Sequence, residues 1–124
     1  MKNDWQNNRI SKKLNLEYPT YFSLCDIDGA VRCEPSQFND IDKTRLIIYE
    51  SKNEKEKLMG SSQLKTLKTI QESIDWSSFD AESGVFVMKI IDLKTQIIWY
   101  DLQGTEVRIT NFNELYDVFR GKTI

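Results

Sequence analysis

The stretch VFVMKIID at residues 85–92 decides the fold, because both sides of the strand that it predicts are apolar. Its side chains alternate between two sets, Val85, Val87 and Ile91 on one side and Phe86, Met88 and Ile90 on the other. A strand of this kind lies inside a sheet that is covered on both faces. We expect the two later helices to cover one face. The N-terminal helix or a second protein chain is then expected over the face that holds Phe86, Met88, Ile90, Ile97 and Trp99.

The residues that follow predict a β-meander. Strands are expected at 96–103 and 105–110, joined by turns at 93–95 and at Gln103-Gly104. A two-residue turn at Gln103-Gly104 would set the register of the last two strands, because each residue added to a turn moves the side chains to the other face.

In that register Ile98 pairs with Ile109 and Tyr100 pairs with Val107. The predicted core face then consists of Ile98, Tyr100, Leu102, Val107 and Ile109. The other face consists of two opposed pairs, Trp99 with Arg108 and Asp101 with Glu106. A cation beside an aromatic ring, followed by two like charges, favours partial exposure of this second face.

The N-terminal half predicts three further strands. Tyr21 to Ile27 and Ala30 to Glu34 form a hairpin around Asp28-Gly29, since both residues of that pair tolerate a positive φ. Residues 45–50, RLIIYE, are rich in β-branched and aromatic side chains and form the next strand.

Three helices are also expected. The first lies within residues 1–16, with a partly flexible segment as the alternative, and the second begins with a cap at Ser61 or Ser62 and ends near Trp76. The inner side of the second helix carries an apolar stripe, Leu64, Leu67, Ile70 and Ile74. The third helix is Phe112 to Arg120, with Asn111 and Glu114 at capping-box spacing before it and Gly121 after it.

The predicted order of elements is therefore α-β-β-β-α-β-β-β-α. Because hairpins are grouped rather than alternating with helices, this order favours an α+β fold with a mostly antiparallel sheet of five or six strands. The sheet combines an N-terminal hairpin with a C-terminal meander and packs against about three helices. With 124 residues, and with neither a repeat nor a linker, the chain is expected to form a single domain, 1–124.

Composition argues against several classes of function. The formal net charge of -2 gives no broad positive surface for nucleic acid. The chain contains no histidine, so we expect neither a typical zinc site nor a histidine-based nucleophile pair. No apolar run is long enough to span a bilayer, and the first residues lack a signal-peptide segment, so the expected location is the cytoplasm. We expect no catalytic residues, no metal and no cofactor.

The segment Asp26-Ile27-Asp28-Gly29-Ala30 resembles the first motif of haloacid-dehalogenase-type phosphatases, Asp-x-Asp-Gly-Thr/Val. The resemblance implies a nucleophilic Asp26, an acid/base Asp28 and a magnesium ion beside them, and Ser51 is similar to the family's second motif. The rest of the pattern is missing, because Ala30 replaces the family's Thr and strand 85–92 ends in a single Asp92 rather than in paired acids. We therefore predict a hairpin turn at Asp28-Gly29 and no enzyme.

The same turn decides how the two cysteines are placed. A two-residue loop puts Cys25 and Cys33 on opposite faces, whereas a three-residue loop that includes Ala30 sets them opposite each other, within disulfide reach. The first register gathers Phe22, Leu24, Val31 and Cys33 on one face. It is the register that we favour, and it predicts no disulfide.

Acidic and aromatic residues concentrate between positions 75 and 82. The candidate partner-binding residues are Asp75, Trp76, Phe79, Asp80, Glu82, Trp99 and Asp101. The acids would face a basic partner and the aromatic residues would anchor it. This pattern favours a small inhibitor, either a bacterial immunity or antitoxin protein or a phage-encoded inhibitor, that neutralises a toxin domain such as a nuclease. The alternative is a homo-oligomeric ligand-binding α+β domain without catalysis.

Overall fold

The computed structural model describes residues 27–58 and 60–123, together with 13, 16 and 17. The elements are, in chain order, β1 (Gly29–Cys33), β2 (Arg45–Asn53), α1 (Ser61–Ser73), β3 (Gly84–Asp92), β4 (Gln96–Tyr100), β5 (Glu106–Thr110) and α2 (Phe112–Phe119). One turn of 3-10 helix, Trp76–Ser78, lies between α1 and β3. The predicted α+β class is confirmed.

The five strands form one sheet in the order β1-β2-β3-β4-β5. Three neighbouring pairs are antiparallel, but β2 and β3 are parallel. The sheet is therefore mixed rather than purely antiparallel. Parallel neighbours need a long crossover connection, and α1 lies in the connection between β2 and β3. The sequence alone does not indicate this crossover, because the second helix also fits a position between two separate groups of hairpins.

The described residues contain two α-helices rather than about three. The predicted N-terminal helix lies outside the described residues except for positions 13 and 16. The cap predicted at Ser61 or Ser62 is wrong, because both serines are already helical. The N-cap is Gly60, which offers no side-chain hydrogen bond.

The two helices cover opposite faces of the sheet. The face under α1 buries Ile48, Leu67, Val85, Val87 and Leu102, and the predicted helix stripe, Leu64, Leu67, Ile70 and Ile74, packs there as expected. The face under α2 buries Ile47, Met88, Ile97, Trp99 and Val118. The prediction that both later helices cover the same face is therefore wrong. The apolar residues of strand 85–92 are covered on both sides, as predicted, but the second cover is the C-terminal helix of the same chain.

Gly29 has a different role from the predicted one. It belongs to β1, pairs with Tyr49 of β2 and does not adopt a positive φ, so the predicted turn at Asp28-Gly29 is wrong. A Cβ atom at this position would meet the Tyr49 ring at 2.5 Å. An aromatic side chain that lies over a glycine in the neighbouring edge strand is a known stabilising arrangement.

The first strand of the predicted hairpin lies outside the described residues except for its last residue, Ile27. Cys25 belongs to that strand, so its predicted placement relative to Cys33 also lies outside the described residues. Cys33 is a free thiol.

Replacing Gly29 with alanine should lower the free energy of unfolding by about 1–3 kcal/mol, because the added methyl group forces the Tyr49 ring to move. The ring cannot move freely, since it stacks on Phe119 with centroids 5.7 Å apart. Urea denaturation checks this, with Gly60→Ala as the control: a Cβ there meets nothing within 4 Å, so this variant should lose only the smaller preference for glycine over alanine at the N-cap of α1. Equal stability of the two variants would contradict the close contact.

The predicted register of β4 and β5 is correct at the centre of the two strands and wrong near their connection. Ile98 pairs with Ile109 and Trp99 with Arg108, as predicted. A bulge then shifts the ladder, so that Tyr100 pairs with Glu106, and the connection is the longer loop 101–105, with Gly104 at φ 85°. The pairs Tyr100 with Val107 and Asp101 with Glu106 are therefore not formed. The bulge and the short strands leave Val107 and Ile109 about half exposed, against the prediction that both are core.

The last helix is formed as the sequence predicts. The Asn111 side chain accepts a hydrogen bond from the Glu114 backbone N–H, and the Glu114 carboxylate accepts one from the Asn111 backbone N–H. Gly121 follows the helix with φ 81°, a conformation that favours glycine. The capping box and the terminating glycine are both confirmed.

Candidate functional site

Arg45 organises the loop that carries the predicted acidic residues. Its side chain is buried, and its Nε atom donates to Asp80 Oδ2 at 2.7 Å. Its Nη1 atom donates to the carbonyl oxygens of Val118 and Lys122, at 2.6 Å and 3.0 Å, and so ties the end of α2 to the sheet. Asp80 also accepts from the backbone N–H of Glu82. The carboxylate of Asp80 is thus engaged inside the fold.

Glu82 lies beside a second arginine. Its carboxylate pairs with Arg108 of β5, and the Arg108 guanidinium lies over the Trp99 ring at 5.2 Å from the centroid. The predicted cation-aromatic pair is therefore present. Trp99 itself is only 1% exposed, and its Nε1–H donates to Thr110 Oγ1 at 3.0 Å. The expected partial exposure of Trp99 is wrong, because α2 covers that part of the sheet.

These residues surround a cleft, which we call the Arg108 cleft. Its volume is about 190 Å³, and it is lined by Ala81, Glu82, Phe86, Trp99, Val107 and Arg108. The Phe86 and Trp99 rings meet edge to face, with centroids 5.2 Å apart. The cleft thus combines an aromatic wall with an ion pair, and of the predicted partner-binding residues it brings together Glu82 and Trp99.

The electrostatics of the cleft centre on Arg108. Burial, and then the positive charge of Arg45, lower the pKa of the Arg108 guanidinium from its ordinary value. The Nη1 atom of Arg108 is buried and finds no hydrogen-bond partner in the described part of the chain. A buried donor without an acceptor is costly and calls for a specific explanation.

The remaining predicted residues lie elsewhere. Trp76 packs on the α1 side of the sheet, where its Nε1–H donates to the Gln71 carbonyl oxygen, and Phe79 lies beside it. Asp75 caps the 3-10 turn, and hydrogen bonds from the hydroxyl and the backbone N–H of Ser77 lower the pKa of its carboxyl. Asp101 accepts backbone hydrogen bonds within the loop 101–105. The seven predicted residues therefore do not form one continuous surface.

A different group of residues is exposed and apolar. Four of the large apolar side chains that are about half exposed lie within one ten-residue segment, Val107 (49%), Ile109 (51%), Phe112 (47%) and Tyr116 (54%). We call them the β5–α2 surface. The sequence reading missed it because Val107 and Ile109 alternate like core residues. The i, i+4 spacing of Phe112 and Tyr116 was the available signal, since it places both on one side of α2.

The phosphatase-like residues make a structural contact. Asp28 Oδ2 accepts hydrogen bonds from the backbone N–H and the hydroxyl of Ser51, both at 2.7 Å. The Asp28 N–H donates to Glu50, which is 1% exposed and lies 3.8 Å from the Lys52 ammonium. Because β1 and β2 are antiparallel, the start of β1 meets the end of β2, and this contact holds the two strand ends together. Asp26 lies outside the described residues.

Neither a metal cluster nor a membrane-spanning helix is found in the described residues. In those ranges, no group of three or more cysteine, aspartate and glutamate side chains is arranged to hold a metal ion. Neither of the described helices has the length and apolar content needed to cross a membrane. Comparison with protein families, with curated proteins and with solved structures finds no match for this chain.

Proposed function

We propose that this chain is a small inhibitor that binds a partner protein, in the manner of a bacterial immunity or antitoxin protein that neutralises a toxin domain in the cytoplasm. It acts by binding and not by catalysis. The observation that carries the proposal is the β5–α2 surface, with its four half-exposed apolar side chains. Single exposed apolar residues are ordinary on a protein surface, but four large ones within ten consecutive residues favour an interaction site.

The position of β5 supports this proposal. In the sheet of described strands, β5 is the last one and pairs only with β4. An edge strand presents backbone N–H and C=O groups to which a strand of another protein can add. Backbone hydrogen bonds along β5 would then be accompanied by apolar contacts to Val107 and Ile109.

The charges near β5 favour a partner with a basic surface. Glu106 is exposed at the start of β5, and Asp101 lies in the loop just before it. Acidic groups beside an apolar contact area speed association with a basic partner. Asp80 and Glu82 contribute less to this attraction, because Arg45 and Arg108 neutralise them.

Ile109→Asp should weaken partner binding at least about 30-fold, because the loss of a central apolar contact costs on the order of 2 kcal/mol or more. The test is co-expression with the product of the neighbouring gene, purification of a one-to-one complex, and calorimetric titration of each variant. Leu93→Asp is the matched control, since Leu93 is equally exposed (52%) but lies in the β3–β4 turn.

Equal affinity of wild type and Ile109→Asp, or equal loss in both variants, would show that the β5–α2 surface is not the interface. The inhibitor function itself is tested in the same cells. Co-expression should restore growth that the partner alone suppresses, and a partner whose toxicity the chain does not relieve would contradict it.

A homo-oligomeric ligand-binding domain is the second candidate, and the Arg108 cleft is the observation that favours it. The solution mass of the purified chain distinguishes the homo-oligomeric domain from the inhibitor. A stable homodimer that Ile109→Asp dissociates would assign β5 to self-association, whereas a monomer that forms a one-to-one complex supports the inhibitor.

A further inference from the structure

The Arg108 cleft has features that the proposed protein-binding function does not use. It holds about 190 Å³, has aromatic side chains on one wall, and contains an arginine whose Nη1 atom lacks an acceptor among the described residues. Each feature restricts the ligand that would fit. The cleft lies on the face of the sheet opposite to α1, since Trp99 and Phe86 belong to the cluster under α2.

The volume limits the ligand to a small molecule. An apolar cavity of about 150 Å³ is enough for a benzene ring. The Arg108 cleft therefore has room for one ring and a small polar group. The Phe86 ring is only partly buried and offers a surface against which a further ring packs well, whereas the Trp99 ring, 1% exposed, is covered by Phe86 and Arg108.

The charged side chains at the cleft favour a negatively charged ligand. Arg108 is partly removed from water and lies near a second cation, Arg45, and both effects disfavour its charged form. A carboxylate is the acceptor that matches a guanidinium best, because two parallel N–H···O hydrogen bonds can form. We propose that the Arg108 cleft binds a small carboxylate that bears an aromatic ring, with the ring against Phe86 and the carboxylate on the Arg108 guanidinium.

Glu82 competes with the ligand for Arg108. Its side chain is 36% exposed, and an ion pair that is open to solvent contributes little to stability. The Glu82 carboxylate can therefore turn into solvent when a ligand carboxylate takes its place. Removing the charge of Glu82 strengthens binding, and removing that of Arg108 weakens it. A purely structural ion pair would not produce these opposite effects.

The test is a calorimetric titration of the full chain with benzoate, with benzamide as the neutral probe of the same shape. Benzoate should bind, and benzamide should bind at least about tenfold more weakly, since hydrogen bonds between a guanidinium and a carboxylate are roughly twice as strong as those to a neutral group. Glu82→Gln should tighten benzoate binding severalfold and Arg108→Gln should weaken it at least about tenfold. Amide shift changes in a heteronuclear spectrum should map to the cleft residues.

Matched controls are present in α2. Arg120 also pairs with an acid, Asp117, and lies over an aromatic ring, Tyr116, but on the exposed surface. Arg120→Gln and Asp117→Asn should leave benzoate affinity unchanged. Should Arg108→Gln fail to fold, Glu82→Gln still decides the matter, because tighter binding supports the site and weaker or equal binding overturns it.

Two further results would overturn the proposal. One is the absence of benzoate binding, and the other is equal binding of benzoate and benzamide. Titration with N-acetylphenylalanine distinguishes two possible sources of the aromatic carboxylate, the carboxyl end of a peptide and a free small acid. If it binds more tightly than benzoate, the site takes the carboxyl end of a peptide, and if it binds more weakly, the site takes a free acid; both outcomes support a carboxylate site.

Discussion

Arg45→Met is expected to lower the free energy of unfolding by about 3–5 kcal/mol, because removing one partner of a buried ion pair leaves the other charge buried and uncompensated. Asp80 would lose its guanidinium partner at 2.7 Å, and the carbonyl oxygens of Val118 and Lys122 would lose the hydrogen bonds from Arg45 Nη1. Three segments of the chain meet at this side chain. Chemical denaturation followed by circular dichroism measures the effect.

The control for Arg45→Met is a second arginine in the same part of the chain. Arg32 pairs with Glu34 at 2.6 Å, but its side chain is 72% exposed. Arg32→Met should change stability by less than about 1 kcal/mol, as is usual for an exposed pair. If both substitutions had the same small effect, Arg45 would not be the anchor between the loop at Asp80 and the end of α2.

Trp99→Ala should also destabilise the fold by about 3–5 kcal/mol, the usual range when a large buried aromatic side chain is removed. The Trp99 ring is 1% exposed and packs against Phe86 and Phe119, with centroids at 5.2 Å and 6.5 Å. The substitution would open a cavity between the sheet and α2 and leave Thr110 without its indole donor.

Trp99→Phe provides the graded comparison, because it keeps a ring in the same place and should cost less than the alanine variant. Thermal and denaturant unfolding of the two variants measures the difference. The sequence had suggested Trp99 as an anchor for a partner protein. If Trp99→Ala lost partner binding but kept the stability of the wild type, that role would be correct and the core role described above would be wrong.

Local sequence signals predicted the local structure well. The Asn111 and Glu114 capping box and Gly121 bound α2 where expected, and the stripe Leu64, Leu67, Ile70 and Ile74 faces the sheet. The pairing of Ile98 with Ile109 was also predicted correctly, although the two-residue turn used to set it is not formed, because the bulge after Trp99 offsets the longer loop 101–105. These features depend on residues that are close together in the sequence.

The candidate site was less predictable, because its properties depend on charges that are distant in the sequence. The sequence predicts that Asp80 and Glu82 face a basic partner protein, yet the groups that pair with them, Arg45 and Arg108, come from β2 and β5 of the same chain. Nothing in the spacing of residues 75–82 indicates those pairs. Gly29 is a second example. The residue at this position must be a glycine because the Tyr49 ring lies against it, and Tyr49 is distant in the sequence.

The sequence by itself determined that this chain has an α+β fold with strands at 85–92 and around Trp99, and that both faces of the central strand are covered. Only the tertiary structure decided that β2 and β3 run parallel, that α2 rather than another chain covers Trp99, and that Val107 and Ile109 remain exposed. The physical reason is that alternation shows which side chains share a face of a strand. Which element covers that face depends on how the connections cross the sheet.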